Sequence, residues 1–549
     1  MVGRYPVLPV TATQPRRRYV PSVERWGGLL LLAAILIDSP ACRSGVALLG
    51  DANPPETVVS SDESSDESIA DAVADGVEDT PPIPDGPDSV GPSCPVWATT
   101  TPRPTPGDGT EAMPFFGLRE ALNGRGDCDR VRLLGGPDAY SARVDLTLEE
   151  GEALVIEADP GADAPPRLAS VDGEAGLAVR GRGSLVLEGL AFAGGQASRG
   201  GCLDAEVSRI ELRRTTWNGC ESSGDGGAVF VLADYVELTD SAFEDCMAVG
   251  EGGGAALAGR TDSATVVVRG SAFRRNEAAH GAGLALQVIS VDVRIEGSRF
   301  VANRASESGA AVFGNLGGVM TGNLFVDNIG GPSGGAVVGN GGWPAAEVVN
   351  NVFLRNRAAS VTTGGTSCCD PAGALQLRPA YGTIRNNLFI DNVSEPDAEY
   401  GQSGPGALMT GDGEVRVLNN TFVGNSSSRS AHLGVSRVVL TGNIFWGGEG
   451  DAGTTSSAGL PGDAVVEYCD SFEVPEPPFI GFEVGVGNVA MDPLFVDRVA
   501  CDFRLRADSP VRDASDPSAS FRDVDGTRGD MGAFGGPAGD WVPLTEEGP

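Results

Sequence analysis

Along most of this chain, short stretches alternate apolar with polar residues, and each runs into an aromatic ring. The strings LVLEGLAF, IELRRTTW, VELTDSAF, VVVRGSAF, VRIEGSRF, GVMTGNLF, AEVVNNVF, GTIRNNLF, VRVLNNTF and VVLTGNIF align without gaps. Their final residues are Phe192, Trp217, Phe243, Phe273, Phe300, Phe325, Phe353, Phe389, Phe422 and Phe445. Three positions after the ring stand Asn276, Asn303, Asn328, Asn356, Asn392 and Asn425. Two positions before it stand Ser241 and Ser271, then Asn323, Asn351, Asn387, Asn420 and Asn443. A small-residue block such as Gly226-Gly227-Ala228, Gly252-Gly253-Gly254 or Gly334-Gly335-Ala336 opens a further short strand in most units.

Alternation with period two predicts strands with one inward face. No unit can bury that face alone, whereas stacked units build one continuous core. Phe over Phe fills the interior, Gly and Ala allow tight turns, and stacked Asn amides bond along the axis. No helical pattern of ten residues intervenes, which argues against leucine-rich horseshoes and doubly wound sheets. The prediction is an all-β, single-stranded, right-handed parallel β-helix solenoid of about a dozen coils.

The GGA block with FxxN resembles the repeats of bacterial polymorphic outer-membrane proteins. The pattern resembles, more broadly, the right-handed parallel β-helix of pectate-lyase-like proteins, over about residues 112 to 535. Upstream, Phe116 to Leu122 reads as a short amphipathic helix, and that resemblance implies a helix capping the first coil. Downstream, DPLFVD, DFRLRADSPVRDA and DVDGTRGDMGAF resemble a choice-of-anchor segment, which implies closing coils and a cap over 491–535. Residues 131–490 are then the repeats, 94–130 the N-terminal cap and 536–549 a tail, loose after Trp541.

Charge changes the picture of the N-terminus. The formal net charge is -36, from 75 Asp+Glu against 39 Lys+Arg, and every basic residue is Arg. That balance argues against nucleic-acid partners. The absence of Lys removes mechanisms built on a catalytic lysine. Arginines from Arg4 to Arg25 precede the apolar run GGLLLLAAILI, which suits the core of an export signal and is too short for a permanent span. Ser39-Pro40-Ala41-Cys42 resembles a lipobox, which implies lipidation at Cys42 and an export signal over residues 1–42. Arg16-Arg17-Arg18 resembles part of a twin-arginine export motif. Residues 43–93, rich in Asp, Glu, Ser and Pro, read as a disordered linker that lifts the domain off a membrane surface. The expected location is the outer membrane, by lipid anchor alone, or the extracellular space.

Ten cysteines in an exported chain suggest disulfides. Cys220 and Cys246 share one register on adjacent coils, so they are expected to bridge. Cys94 with Cys128 and Cys469 with Cys501 are expected to clasp the two caps. Cys202 reads as a small buried hydrophobe, and Cys368-Cys369 sit in an irregular insertion. Asp523-x-Asp525-Gly526 invites a calcium reading, but it lacks the remaining ligands of a calcium loop, so a turn is expected there. No cofactor is expected.

Two function classes remain. Several β-helix families cleave acidic polysaccharides, so a lyase or glycoside hydrolase is the alternative reading. Polygalacturonase-like sites join clustered Asp to a His and a Lys; here Lys is absent, and His280 sits at a turn with no partner visible in sequence. The favoured reading is a non-catalytic surface or adhesion scaffold that binds a glycan or a cell-surface partner. The two longest repeat intervals are consecutive and insert Ser360–Ala372 and Ser394–Pro405 at matching turns. Trp343 and Tyr381 occupy one turn on the two coils just before those insertions, and they are the candidate stacking platform.

Overall fold

The computed structural model describes residues 95–546, apart from 142, 170–175, 288–291, 341–344, 360–370, 379–380, 397–402, 412 and 456–463. Short strands wind into a parallel solenoid of about 11 turns with three long sheets. The first sheet has 16 strands, the anchor sheet 13 and the closing sheet 21. Within the repeats, pairing is in register from coil to coil: Phe243 pairs with Phe273, Phe273 with Phe300, and so on to Phe422 with Phe445. The expected all-β solenoid is what forms.

The corners explain why the sequence folds this way. Each anchor strand is three residues long and is bracketed by left-handed residues, three before the ring and two after it. Before the ring these include Gly297, Asn350, Asn386 and Asn419; after it, Asp327, Arg355, Asp391 and Gly424. Gly and Asn tolerate that conformation best, which is why Asn-Asn pairs precede Phe353, Phe389 and Phe422. The first Asn turns the chain and the second points inward.

Inside, the rings from Phe243 to Phe445 stack nearly parallel with centroids 4.7 to 5.0 Å apart. Beside them run two asparagine ladders. Asn328 Nδ2 donates to Asn356 Oδ1 at 2.9 Å and to the Phe300 carbonyl at 2.8 Å, while Asn356 Oδ1 also accepts the Asn328 backbone N–H. The pattern repeats from Asn276 to Asn425, and again from Asn323 to Asn443. These amides are fully buried and fully used, the condition under which buried polar groups stabilise.

At the N-terminal end, the helix Leu118–Gly124 places Leu118, Ala121 and Leu122 against the core as a cap. Strands Pro95–Thr99 and Phe115–Phe116 extend the first sheet beyond it, so the 94–130 region joins the sheet as well as capping it.

The C-terminal segment corrects the expectation of closing coils. Phe495–Asp497 and Asp502–Leu505 pair antiparallel, and 491–546 runs back along the outside of the anchor sheet. Phe495, Phe503, Val511 and Met531 cover Leu324, Val326, Val352, Leu354, Leu388, Ile390 and Ile444. Asn386 Nδ2 donates to the carbonyls of Ala533 and Gly535, and Asn419 Nδ2 to that of Asp530. Nor is the described end of the tail loose. Trp541 stacks on Phe534, the Thr545 carbonyl accepts from Arg299, and Glu546 pairs with Arg355. The reason is the flanks of the rings: in these coils both neighbours of Phe are apolar, so the sheet has two faces to cover.

The disulfide expectations change too. Cys220 bonds to Cys202, with Cα atoms 5.8 Å apart, and Cys246 is a buried free thiol. In-register stacking sends Cys220 and Cys246 side chains out parallel, whereas a bridge needs Cβ atoms that converge. Cys202 and Cys220 come from different segments and do converge. Cys469 is likewise free and buried, while Cys501 is disulfide-bonded, so those two do not pair. Cys469 continues the Asn443 column on the next coil, where Ser471 stands in place of the ring, and its sulfur lies against Asn443. Cys128 is disulfide-bonded, and its expected partner Cys94 lies outside the described residues.

Two measurements check this fold. Phe353→Ala removes one ring from the middle of the stack and is expected to cost about 3–5 kcal/mol in denaturant unfolding; a loss below about 1 kcal/mol would contradict the buried stack. Non-reducing peptide mapping is expected to recover a Cys202–Cys220 cross-link. Cys246 and Cys469, whose thiols burial pushes up to about 12, should alkylate only after denaturation.

Candidate functional site

The small-residue blocks create the most chemically varied corner of the solenoid. Gly226, Gly252 and Gly281 are left-handed, with φ of 70°, 70° and 57°. A Cβ on Gly226 would come within 2.4 Å of the Val229 carbonyl oxygen, so only glycine suits this turn. The residue just before each glycine is thereby fixed in register: Arg199, Asp225, Glu251, His280 and Ser308 follow one another along the axis. Backbone bonds join them, from Gly226 N–H to the Glu251 carbonyl at 2.8 Å and from Gly252 N–H to that of His280 at 3.0 Å.

These side chains lie against the outward face of the closing sheet. There Phe230, Ala256, Ala285 and Phe313 align in register on successive coils. Phe230, Ala256, Ala258 and Ala285 form an apolar cluster separate from the main core. Arg199 lies 4.3 Å over the Phe230 ring, and His280 stacks on Phe313 at 4.7 Å. Two alanines thus make a floor between two covered aromatic rings.

Above that floor the polar groups interlock. Gln287 Nε2 donates to Asp225 Oδ2 at 3.1 Å and to Glu251 Oε2 at 3.0 Å. Asp225 Oδ1 accepts the Glu251 backbone N–H at 2.8 Å. His280 Nδ1 meets the Ser308 hydroxyl at 2.9 Å. At the near end, Arg199 also holds Asp204 and Glu206, and these contacts keep the Glu206 carboxyl below the usual range. The result is a rigid surface of carboxylate, amide, imidazole and hydroxyl groups on a flat apolar base. Among the described residues no group of three or more His, Cys, Asp or Glu is placed to hold a metal ion.

His280 therefore has partners that its sequence neighbours do not reveal. The signal was the column before the glycines, where Asp225, Glu251 and His280 stand in line. Tyr381 is 39% exposed and sits at a different corner, where the chain enters the first sheet. Its proposed partner Trp343 lies outside the described residues, as do Cys42, Cys368 and Cys369. The Asp523 and Asp525 carboxylates serve turns: Asp525 accepts from the Thr527 N–H and hydroxyl, and Asp523 from the Asp530 and Gly536 N–H groups.

The other histidine is structural. His432 is fully buried at the end of one ladder, where Nδ1 accepts from Asn425 Nδ2 at 3.2 Å and Nε2 donates to the Gly447 carbonyl at 2.9 Å. Using both nitrogens this way requires the neutral ring. Burial lowers its pKa to about 4, with the Gly447 carbonyl opposing.

No protein-family model and no curated protein matches this sequence. Among solved structures, the crystal structure of pectate lyase Pel9A is similar, with 15% identity and a TM-score of 0.33, covering 80% of this chain and 96% of that one.

A pH prediction follows from His432. The unfolded ring takes up a proton near pH 6.5 and the folded one only near 4. Its contribution to stability is therefore intact above pH 6.5 and shrinks as pH falls toward 4, by up to about 3 kcal/mol. Burial raises Asp391 and Asp523 to about 6 and Asp470 to about 7, so acidification relieves those groups and partly masks the loss. His432→Asn isolates the effect. Its unfolding free energy is expected to depend less on pH between 6.5 and 4 than that of the parent; equal slopes would refute the assignment.

Proposed function

We propose that this is an exported, envelope-anchored β-helix protein whose solenoid binds a saccharide at the Asp225–Glu251–His280 corner without cleaving it. The observation that carries the reading is the convergence of that column with Gln287 over the Ala256–Ala285 floor. Planar polar groups that both donate and accept suit a ring of hydroxyls, and the buried Ala256–Ala285 floor beneath holds them in place. Export draws support from the leader and from the Cys202–Cys220 bond, which belongs to an oxidising compartment. Anchoring draws support from the lipobox-like run ending at Cys42 and the acidic linker behind it.

An enzymatic reading rests on the same pair of carboxylates. Both accept from one nitrogen, so their oxygens lie no more than about 6 Å apart, close to the separation of retaining glycosidases. Against it, Asp225 accepts a hydrogen bond at each oxygen, from Gln287 and from the Glu251 backbone N–H, so it is poorly placed either to donate a proton or to attack, and Glu251 alone would have to act.

Titration of soluble oligosaccharides into the full chain tests this. Binding is expected to weaken at least about tenfold in both Glu251→Gln and His280→Ala, with melting temperatures unchanged and no new reducing ends. Undiminished binding in the double variant would reject the site. Reducing ends that appear with the parent and vanish with Glu251→Gln would favour the enzyme.

A further inference from the structure

The outward face of the first sheet carries a series of arginines that fall into two groups. Toward the N-terminal end, Arg132 pairs with Glu157, Arg209 with Glu211, Arg213 with Glu211 and Glu188, Arg269 with Glu237 and Glu296, and Arg294 with Asp292. Further along the same face, Arg385 and Arg416 have no ion-pair or hydrogen-bond partner among the described residues. Scarcity of acid is not the reason, since the chain has 75 Asp+Glu for 39 Lys+Arg.

The register makes these two diagonal neighbours. Thr383 pairs with Arg416 and Arg385 with Leu418 on the adjacent coil, within reach of long side chains. Like charges so placed repel one another unless something neutralises them. Both line a cavity of about 210 Å³ where the C-terminal segment crosses the sheet, together with Phe521 from that segment and Glu347.

We infer that this cavity binds a small organic carboxylate, separate from the corner described above. A guanidinium fork matches a carboxylate in a bidentate way, and two forks on adjacent coils fix its position. The Thr383 hydroxyl adds a donor. Leu418 and Phe521 supply an apolar wall, so the ligand carries a compact apolar or ring body as well as its charge. The volume is below the roughly 300–1,000 Å³ of drug-sized pockets, which limits the body to about one ring. Glu347 and the net charge of -36 disfavour a polyanion.

Calorimetric titration of the full chain with benzoate, using benzamide as the uncharged isostere, tests the inference. Saturable benzoate binding is expected, weakened at least about tenfold by Arg385→Gln and by Arg416→Gln and unaffected by Arg294→Gln. Arg385→Lys, which keeps the charge without the fork, should retain part of the affinity, and the variants should melt with the parent. Absence of saturable benzoate binding, equal affinity for benzamide, or full affinity in the Arg385→Gln, Arg416→Gln double variant would overturn it.

Discussion

In-register stacking is the constraint on which everything else in this molecule depends. Because each coil sits directly above the last, every inward position becomes a column, and each column must suit repetition of itself. Phenyl rings satisfy this by dispersion across a fixed gap. Asparagine satisfies it because its amide both donates and accepts along the axis, so the column has no unpaired member until it ends. The ends are therefore the delicate places. One ladder starts under the Cys246 backbone N–H and finishes on His432, whose neutral ring supplies the last acceptor and passes the bond on to Gly447.

Outward columns obey the same rule with a different outcome. A repeated charge repels its copy, so where glutamates stack on the first sheet, Glu157 beside Glu188 and Glu211 beside Glu237, arginines from neighbouring positions pair with them. The corner before the glycines is less regular: Arg199, Asp225, Glu251, His280 and Ser308 differ from one coil to the next. Variation in one column of an otherwise repetitive solenoid is where specific chemistry is free to collect, since those positions carry no ladder.

How much was legible in the sequence follows the same division. Anything set by period was readable: the rings, both asparagine columns, the parallel coils and the cap helix. Disulfide pairing was not, because equal register says that Cys220 and Cys246 are close but also that their Cα–Cβ bonds run parallel rather than converge. The path of residues 491–546 has a trace in the residues beside the rings. Ala-Phe-Glu and Ala-Phe-Arg at Phe243 and Phe273 give way to Leu-Phe-Val, Val-Phe-Leu and Leu-Phe-Ile at Phe325, Phe353 and Phe389. A strand apolar on both sides must be covered on both sides. The column containing His280 is likewise present in the sequence, one residue upstream of the left-handed glycines.

The returning C-terminal segment also changes what kind of solid this solenoid is. A bare stack of repeats is held by nearest neighbours only, so it frays from its ends and its coils open one at a time. Here a single stretch of chain touches the coils of Phe300, Phe353, Phe389 and Phe445 together, through Arg299, Arg355, Asn386 and Ile444. Coils that never meet one another thereby share a fate, and the later half of the stack becomes one cooperative block while the earlier half keeps its local character. The staple also follows, in chain order, every coil that it covers. Until it docks, the stack presents a row of leucine, valine and isoleucine side chains to its surroundings, so the chain is most vulnerable to aggregation while its coils are formed and the staple is still free.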